Sequence, residues 1–478
     1  MKHARRLSNV AVPLRHDADR LQLLNIHAEP ILILFQYGIY NAKIPLRGIT
    51  SNIYCDPATY RVARNKLGSS NLKPLEGITV LDLSRVFAAP FATQMLSDLG
   101  AKVWKIESFR GDDTRKWGAH VFAAFNRGKS SLAINLKDPR GQTIIAALAN
   151  KADILIENFK TGDLQRYQLD YERLSQVNRR LIYLSLTGFG QNGPRKDQPG
   201  YDTVIQAMTG VMSMTGEPDR PPGRVGIAWI DLMAGLTTTV AALAAIQERH
   251  KSGIGQYIDL SLFDVGMMAL VDVGQDYLQN GNIQSRIGSV TRNLSPAQPF
   301  KAADGWLVLA VGNDDQFMRM CSALRRPDLA ADKRFTSNQG RVEYRAILAN
   351  VIATEFEKYP RKYWIELFQK HQIPLSPIQD VAEALNDRQV KARDIIWQVE
   401  DANGHKIPLL GNPLQHMSRT PAAAAGPPPS LGAHTKSVLL AELGLSNSEL
   451  IKLEADGVIR TARAEMVERS SAVSDLGD

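Results

Sequence analysis

Between Leu75 and Leu186, apolar stretches of strand length alternate with stretches of helical period, and that alternation leaves few folds open. Gly77–Leu83 (GITVLDL) reads as a buried strand, Ala88–Leu99 as a helix closed by Gly100, and Ala101–Ile106 (AKVWKI) as a second strand ending at Glu107. The pattern continues through a strand at Ser131–Leu136, a helix at Asp138–Asn150, a strand at Ala152–Glu157, a capped helix at Tyr171–Asn178 and a strand at Leu181–Leu186. Repeated strand–helix–strand units require crossover connections, so the strands are expected to run parallel in a doubly wound α/β sheet. Ligands of such sheets lie beyond the carboxyl ends of the strands. Val86, Glu107, Asn158 and Thr187-Gly188-Phe189-Gly190 follow strand ends and are site candidates on that ground, against the plainer reading of each as a structural turn. Glu107 after the second strand suggests a ribose contact. The first turn, Ser84 to Pro90, has no glycine for close approach to a pyrophosphate, which excludes a dinucleotide site of the usual kind.

The 478 residues carry enough length for two or three units, and 44% hydrophobic with 22% charged residues is ordinary for a globular protein. No apolar run approaches the ~20 residues of a membrane span, so no membrane role is expected. The formal net charge of +8 is dispersed, without the basic stripe and stacking aromatics of a nucleic-acid binder. A polyanionic small molecule explains it as well. Cys55 and Cys321 suggest neither a metal site nor a disulfide framework and fit a reducing compartment, the cytoplasm first and the mitochondrial matrix second.

Residues 1–73 read as a poorly ordered extension, with Lys2, Arg5, Arg6 and Arg15 faintly like a transit peptide. Residues 74–288 form the large domain and 289–395 a smaller one, with short strands at Pro299–Ala302 and Gly305–Val311 and helices at Asp314–Leu324, Arg341–Lys358 and Tyr363–Lys370. Ala422–Pro429 is a linker within a segment, 396–465, that returns to the large domain, and 466–478 is a polar tail.

One carboxylate stands apart. In Val225–Gly235 (VGIAWIDLMAG) an apolar run leads to Asp231, and Leu232–Ile246 then reads as a buried helix. At a helix N-terminus the orphan N–H groups and the dipole favour an ionised acid, so Asp231 is either a helix cap or a nucleophile.

Several stretches together resemble the class III CoA-transferases, the family of the formyl-CoA, carnitine and dicarboxylate CoA-transferases. They are PLEGITVLDLSRVFAAPFATQMLSDLGAKVWKIE, NRGKSSLAINL, ADILIENF, LIYLSLTGFGQNGP, PGYDTVIQAMTG, the Asp231 segment, SGIGQYIDLSLFD and PPPSLGAHTKSVLLAELG, in family order over roughly Leu75 to Ile459. The resemblance implies a Rossmann-like large domain, a small α+β domain and an interlocked-ring homodimer. It implies coenzyme A, brought as an acyl-CoA donor, a small carboxylic acid as acceptor, and no metal. It makes Asp231 the nucleophile that passes through a mixed anhydride to an aspartyl-CoA thioester. It implies CoA contacts at Val86, Ala88, Ile134, Asn158 and Phe159 and a phosphate contact from Arg166. Ser108 replaces an arginine of some members, so Arg110 or Arg115 is expected to take over its phosphate contact. Pro199 replaces a lysine of the formyl-CoA transferases, and Arg292–Pro299 stands where those enzymes have a glycine run, which argues against formate or oxalate.

Pro199-Gly200-Tyr201-Asp202 and the short turn after Thr215 look like the dicarboxylate-using members, with Tyr201 at the substrate and Arg224 or Arg292 meeting a distal carboxylate. The α-methylacyl-CoA racemases of the same family use a histidine where this chain has Tyr201, and a tyrosine of pKa near ~10 is a poor base at neutral pH. A catalytically silent CoA-binding scaffold would fit better had Asp231 been lost.

Overall fold

The structure, a computed structural model, describes residues 73–462 and the backbone of two short strands before them. Those strands, β1 (Asn41–Leu46) and β2 (Ile49–Tyr54), form an antiparallel hairpin. Apart from that hairpin, residues 1–72 of the expected extension 1–73 lie outside the described residues, as do Cys55 and the tail 466–478. The hairpin belongs to one compact unit, while Lys73–Gln415 with the chain from Ala422 onward form another. The larger unit carries the site.

Its central sheet contains β3 (Thr79–Asp82), β4 (Lys102–Glu107), β5 (Ser130–Ile134), β6 (Ile154–Glu157), β7 (Ile182–Thr187) and β8 (Tyr257–Ser261), all parallel. Most of these strands are buried on both faces, which is why they read as continuous apolar runs. The order is β5-β4-β3-β6-β7-β8. The chain therefore winds outward from β3 in one direction, returns, and winds outward from β6 in the other. The reversal lies between β3 and β6, where the helices on either side diverge and leave a crevice beyond the strand ends.

The helix Ala88–Asp98 follows β3, and Leu96 and Leu99 pack with Val80 and Val103. Asp138 caps Pro139–Lys151 by accepting the Arg140 N–H, with proline pre-set in the first turn. Trp229–Ser252 begins three residues before the expected Leu232, so Asp231 sits inside the first turn and Ala228 holds the cap position. By length and composition this helix would also cross a membrane, which differs from the sequence expectation. It is a core helix instead: Ile230, Ala234, Ala242 and Ile246 pack into the sheet's core. Its far end is pinned by Arg249, buried and bonded to Asp153 and to the Asp153 and Arg180 carbonyls.

A separate hydrophobic core forms around β9 (Ala297–Ala302), β10 (Gly305–Ala310) and β11 (Leu375–Pro377), antiparallel in the order β11-β10-β9. The expected helix Arg341–Lys358 is two helices, Asn338–Glu343 and Arg345–Phe356, turning at Tyr344. Arg341 explains the earlier start, because it is fully buried and donates to the Ser295 and Phe335 carbonyls and to Asp314. A hairpin of β12 (Ile396–Glu400) and β13 (Lys406–Leu410) follows, and Ala422–Pro429 is free of helix. The chain then adds β14 (Ile459–Arg460) antiparallel to β5, at the edge of the large sheet.

Candidate active site

The crevice predicted by the strand order is present. A cleft of about 200 Å³ opens at the β3/β6 reversal, lined by Arg85–Ala88 after β3, Asn158–Thr161 after β6, Leu186–Gly188 after β7, Lys196–Tyr201, Asp113, Leu262 and Asp231.

Its first wall is the turn Ser84–Phe87. Val86 has φ 72°, the left-handed region where a β-branched residue is rarely found. Asn158 clamps the turn from the neighbouring strand end: its Oδ1 accepts from Arg85 N at 3.0 Å and its Nδ2 donates to Arg85 O at 2.8 Å. Below lies a fully buried ionic cluster. Lys129 reaches Asp82 at 3.0 Å, and Lys105 reaches Asp112 at 3.0 Å. Burial would raise the Asp82 pKa, but Lys129 and Lys105 bring it down to about 2. Burial pulls Lys129 down to about 8 despite Asp82.

The opposite wall brings Asp231. The helix that carries it lacks a side-chain cap of its own, and Asp202 from the helix Asp202–Met208 supplies one. Asp202 Oδ2 accepts from Ile230 N at 2.8 Å and Asp231 N at 3.2 Å, while its Oδ1 accepts from Gln206 Nε2 at 2.6 Å. The choice between cap and reactive acid is thereby divided between two residues: Asp202 caps, and the Asp231 carboxyl forms no side-chain hydrogen bond or ion pair among the described residues. Burial, and then the like charge of Asp202, push the Asp231 pKa up to about 7. That direction is opposite to the one expected from the helix N-terminus alone. Glycines bring the remaining pieces together. A Cβ on Gly235 would lie 2.6 Å from Ala88 O, so only glycine lets this helix approach the first wall so closely. A Cβ on Gly188 would lie 2.7 Å from Gly200 Cα, so these loops meet backbone to backbone.

Of the residues singled out in the sequence, Val86, Ala88, Asn158, Phe159, Thr187, Gly188, Tyr201 and Asp231 line this one cleft. The structure places the others outside it. Ile134 is 1% exposed and paired with Ile459 of β14, so it is core and meets no ligand here. Arg166 pairs with Asp163 on the surface, and Arg110 is exposed; neither lines the cleft. Arg115 is committed to Glu107, at 2.7 and 2.8 Å, and to Pro429 O. Arg224 donates to Val225 O and Arg292 to Ser285 O, and neither reaches the lining. Of the apolar flank Ile227–Ile230, Ile230 and Trp229 pack in the core, whereas Ile227 is exposed. The cations that do line the cleft are Arg85, Lys160 and Lys196. Thr161 Oγ1 donates to Lys196 O at 3.0 Å and ties the two lysine loops together. Lys160, two residues past Asn158, was within reach of the strand-end rule; Lys196 has no sequence signal. Among the described residues no group of three or more metal-ligating side chains occurs.

The chain is 41% identical over 380 residues to a succinate–glutarate CoA-transferase of Agrobacterium fabrum, covering 77% of this chain and 95% of that protein. It is 38% identical over 350 residues to an acetyl-CoA:oxalate CoA-transferase of Acetobacter aceti, covering 72% and 89%. The crystal structure of a CAIB/BAIF family protein from Brucella suis superposes with a TM-score of 0.71 at 36% identity, covering 77% of this chain and 99% of that one. Residues 75–435 match the CoA-transferase family III as a whole, and the chain belongs to that family.

Proposed function

We propose that this CoA-transferase moves CoA from succinyl-CoA to a dicarboxylate through an aspartyl-CoA thioester on Asp231. The observation that carries the reading is the Asp231 carboxyl itself, on the cleft wall with no cation paired to it among the described residues. A carboxylate with a raised pKa, once ionised, is a stronger nucleophile than an ordinary one.

The chemistry balances with one residue. The Asp231 carboxylate attacks the donor thioester carbonyl, expels CoA thiolate and forms a mixed anhydride. The thiolate then attacks the aspartyl carbonyl, releasing the donor acid and leaving an aspartyl-CoA thioester. The acceptor carboxylate attacks that carbonyl, displacing thiolate again, and the thiolate takes the acceptor acyl group to regenerate Asp231. Each step exchanges carboxylate for thiolate or the reverse, so neither ATP nor a metal is required. Water must be kept out, since it would hydrolyse both intermediates. Arg85, Lys160 and Lys196 at the cleft supply charge for the CoA phosphates. Glutarate and oxalate in the relatives' names are both dicarboxylates, which supports that acceptor class and keeps oxalate in the panel despite Pro199 and the missing glycine run.

The interlocked homodimer belongs to the same reading. The helix Val271–Asn280 has no buried residue, and Val271, Tyr277, Leu278 and the nearby Ile283 are all more than half exposed, with Met267 and Met268 beside them. An apolar surface of this kind supports a protein interface. A racemase needs a second acid–base group facing Asp231, and among the described residues the cleft lining includes no histidine.

The test is product formation. Succinyl-CoA with glutarate or oxalate should give the corresponding new CoA ester by liquid chromatography–mass spectrometry, and Asp231→Asn should lower the rate by on the order of 10⁴-fold or more. A folded Asp231→Asn protein of near wild-type rate would refute the assignment.

A further inference from the structure

Five consecutive backbone polar groups in the turn Ser84–Val86 are held by side chains from three different parts of the sheet. Ser84 N donates to Asp82 Oδ1 at 2.9 Å, and Ser84 O accepts from Lys105 Nζ at 2.8 Å. Asn158 takes both Arg85 N and Arg85 O. Val86 N donates to Asp112 Oδ1 at 3.3 Å. Lys105 and Asp112 are themselves an ion pair, 0% and 3% exposed. The same Asp112 Oδ1 also accepts from Thr114 N and Thr114 Oγ1. Glu107 fixes Asp112 in turn, accepting its N–H at 3.0 Å while bonded to Arg115 and Ser131.

A buried ion pair is a poor device for stability alone, because desolvation offsets most of its attraction and apolar residues of similar volume serve as well. Here each partner also makes a bond to the cleft turn, one on either side of Arg85. The turn needs such holding, since a valine does not stay at φ 72° by its own preference. We propose that the Lys105–Asp112 pair is a positioning device for CoA binding, gripping the turn so that Val86–Ala88 stands ready as the cleft wall before the ligand arrives. Neither residue lines the cleft, so their action passes through the turn. The inference rests on the CoA-transferase reading given above.

Two measurements test it: CoA binding by calorimetry, and amide hydrogen exchange across the segment that contains Val86. In the wild type the Val86 amide is expected to be protected without ligand. Rapid exchange there would show that the turn is not held and would overturn the proposal without any variant. Asp112→Ala removes the acceptor and should raise the Kd for CoA at least about tenfold while speeding exchange at Val86. Asp112→Asn keeps an acceptor for Val86 N but loses the charge facing Lys105, and should recover only part of that affinity. Thr114→Val removes only the hydroxyl donor to Asp112 Oδ1, leaves the bond from Val86 N in place, and should leave the Kd unchanged. Equal affinity in wild type and folded Asp112→Ala would overturn the positioning role alone. A wild type that does not bind CoA would overturn the functional reading and this proposal with it.

Discussion

Replacing Asp231 by asparagine should make the free protein more stable, and by an amount that depends on pH. The unligated site holds a carboxyl whose pKa is raised from 3.8 to about 7, by burial and then by Asp202. At 1.36 kcal/mol per pH unit, that displacement is a cost of about 4 kcal/mol when the group is ionised in both folded and unfolded states. The sign follows from proton binding. Above pH 7 both states carry the charge and the full cost is present. As pH falls through 7 the folded carboxyl takes up its proton first and the cost shrinks, and below 3.8 it is gone. Asparagine has nearly the same shape and no charge, so Asp231→Asn should gain up to about 4 kcal/mol at pH 8.5, less than half of that at pH 5, and nothing at pH 3.5. With an unfolding entropy of about 2.1 cal/mol/K per residue over roughly 390 described residues, the gain at pH 8.5 is about 5 °C in midpoint. Thermal unfolding of both proteins without CoA across this range reads the difference, in which the titrating groups not coupled to Asp231 cancel. A gain independent of pH, or a loss at pH 8.5, would refute the claim that Asp231 is held as a strained carboxyl.

Three further outcomes follow from the same geometry. Asp202→Asn removes the like charge beside Asp231 and should move the acid limb of the kcat/KM profile to lower pH, because less of the Asp231 elevation remains; an unmoved limb would show that burial alone sets it. Gly235→Ala places a methyl 2.6 Å from Ala88 O, and should destabilise by about 1–3 kcal/mol in urea unfolding while lowering kcat by separating the two walls. Wild-type stability in that variant would mean the helices are not locked at this distance. Lys160→Ala and Lys196→Ala should each raise the KM for acyl-CoA with little change in kcat, and more steeply at low salt; an unchanged KM would place the phosphates elsewhere.

The parallel sheet was legible because its strands are buried on both faces, so their apolar runs carry the period and the bounding turns carry the punctuation. The strand-end rule reached Val86 and Asn158 for the same reason: the position of a strand end is a local property. What stayed hidden was non-local. Ile134 ends β5, and β14, more than three hundred residues later in the chain, pairs with it. Arg115 had the charge for a phosphate, but a buried Glu107 had prior hold of it. Asp202 as the cap of a helix that starts at Trp229 could not be read from either segment alone, since a cap supplied by another helix leaves no mark at Ala228. The hairpin Ile396–Leu410 had a local signal, Asn403-Gly404 between two alternating stretches, and was missed through weak apolar contrast rather than lack of information.

The claim on which the rest depends is that Asp231 becomes covalently bonded to CoA. Purified protein mixed with succinyl-CoA, acid-quenched and examined by intact mass and peptide mapping tests it directly. A CoA-sized increment is expected on the peptide carrying Asp231, lost on adding excess acceptor and missing from Asp231→Asn. Turnover of succinyl-CoA with glutarate in the wild type while the increment is absent, or maps to another residue, would contradict it.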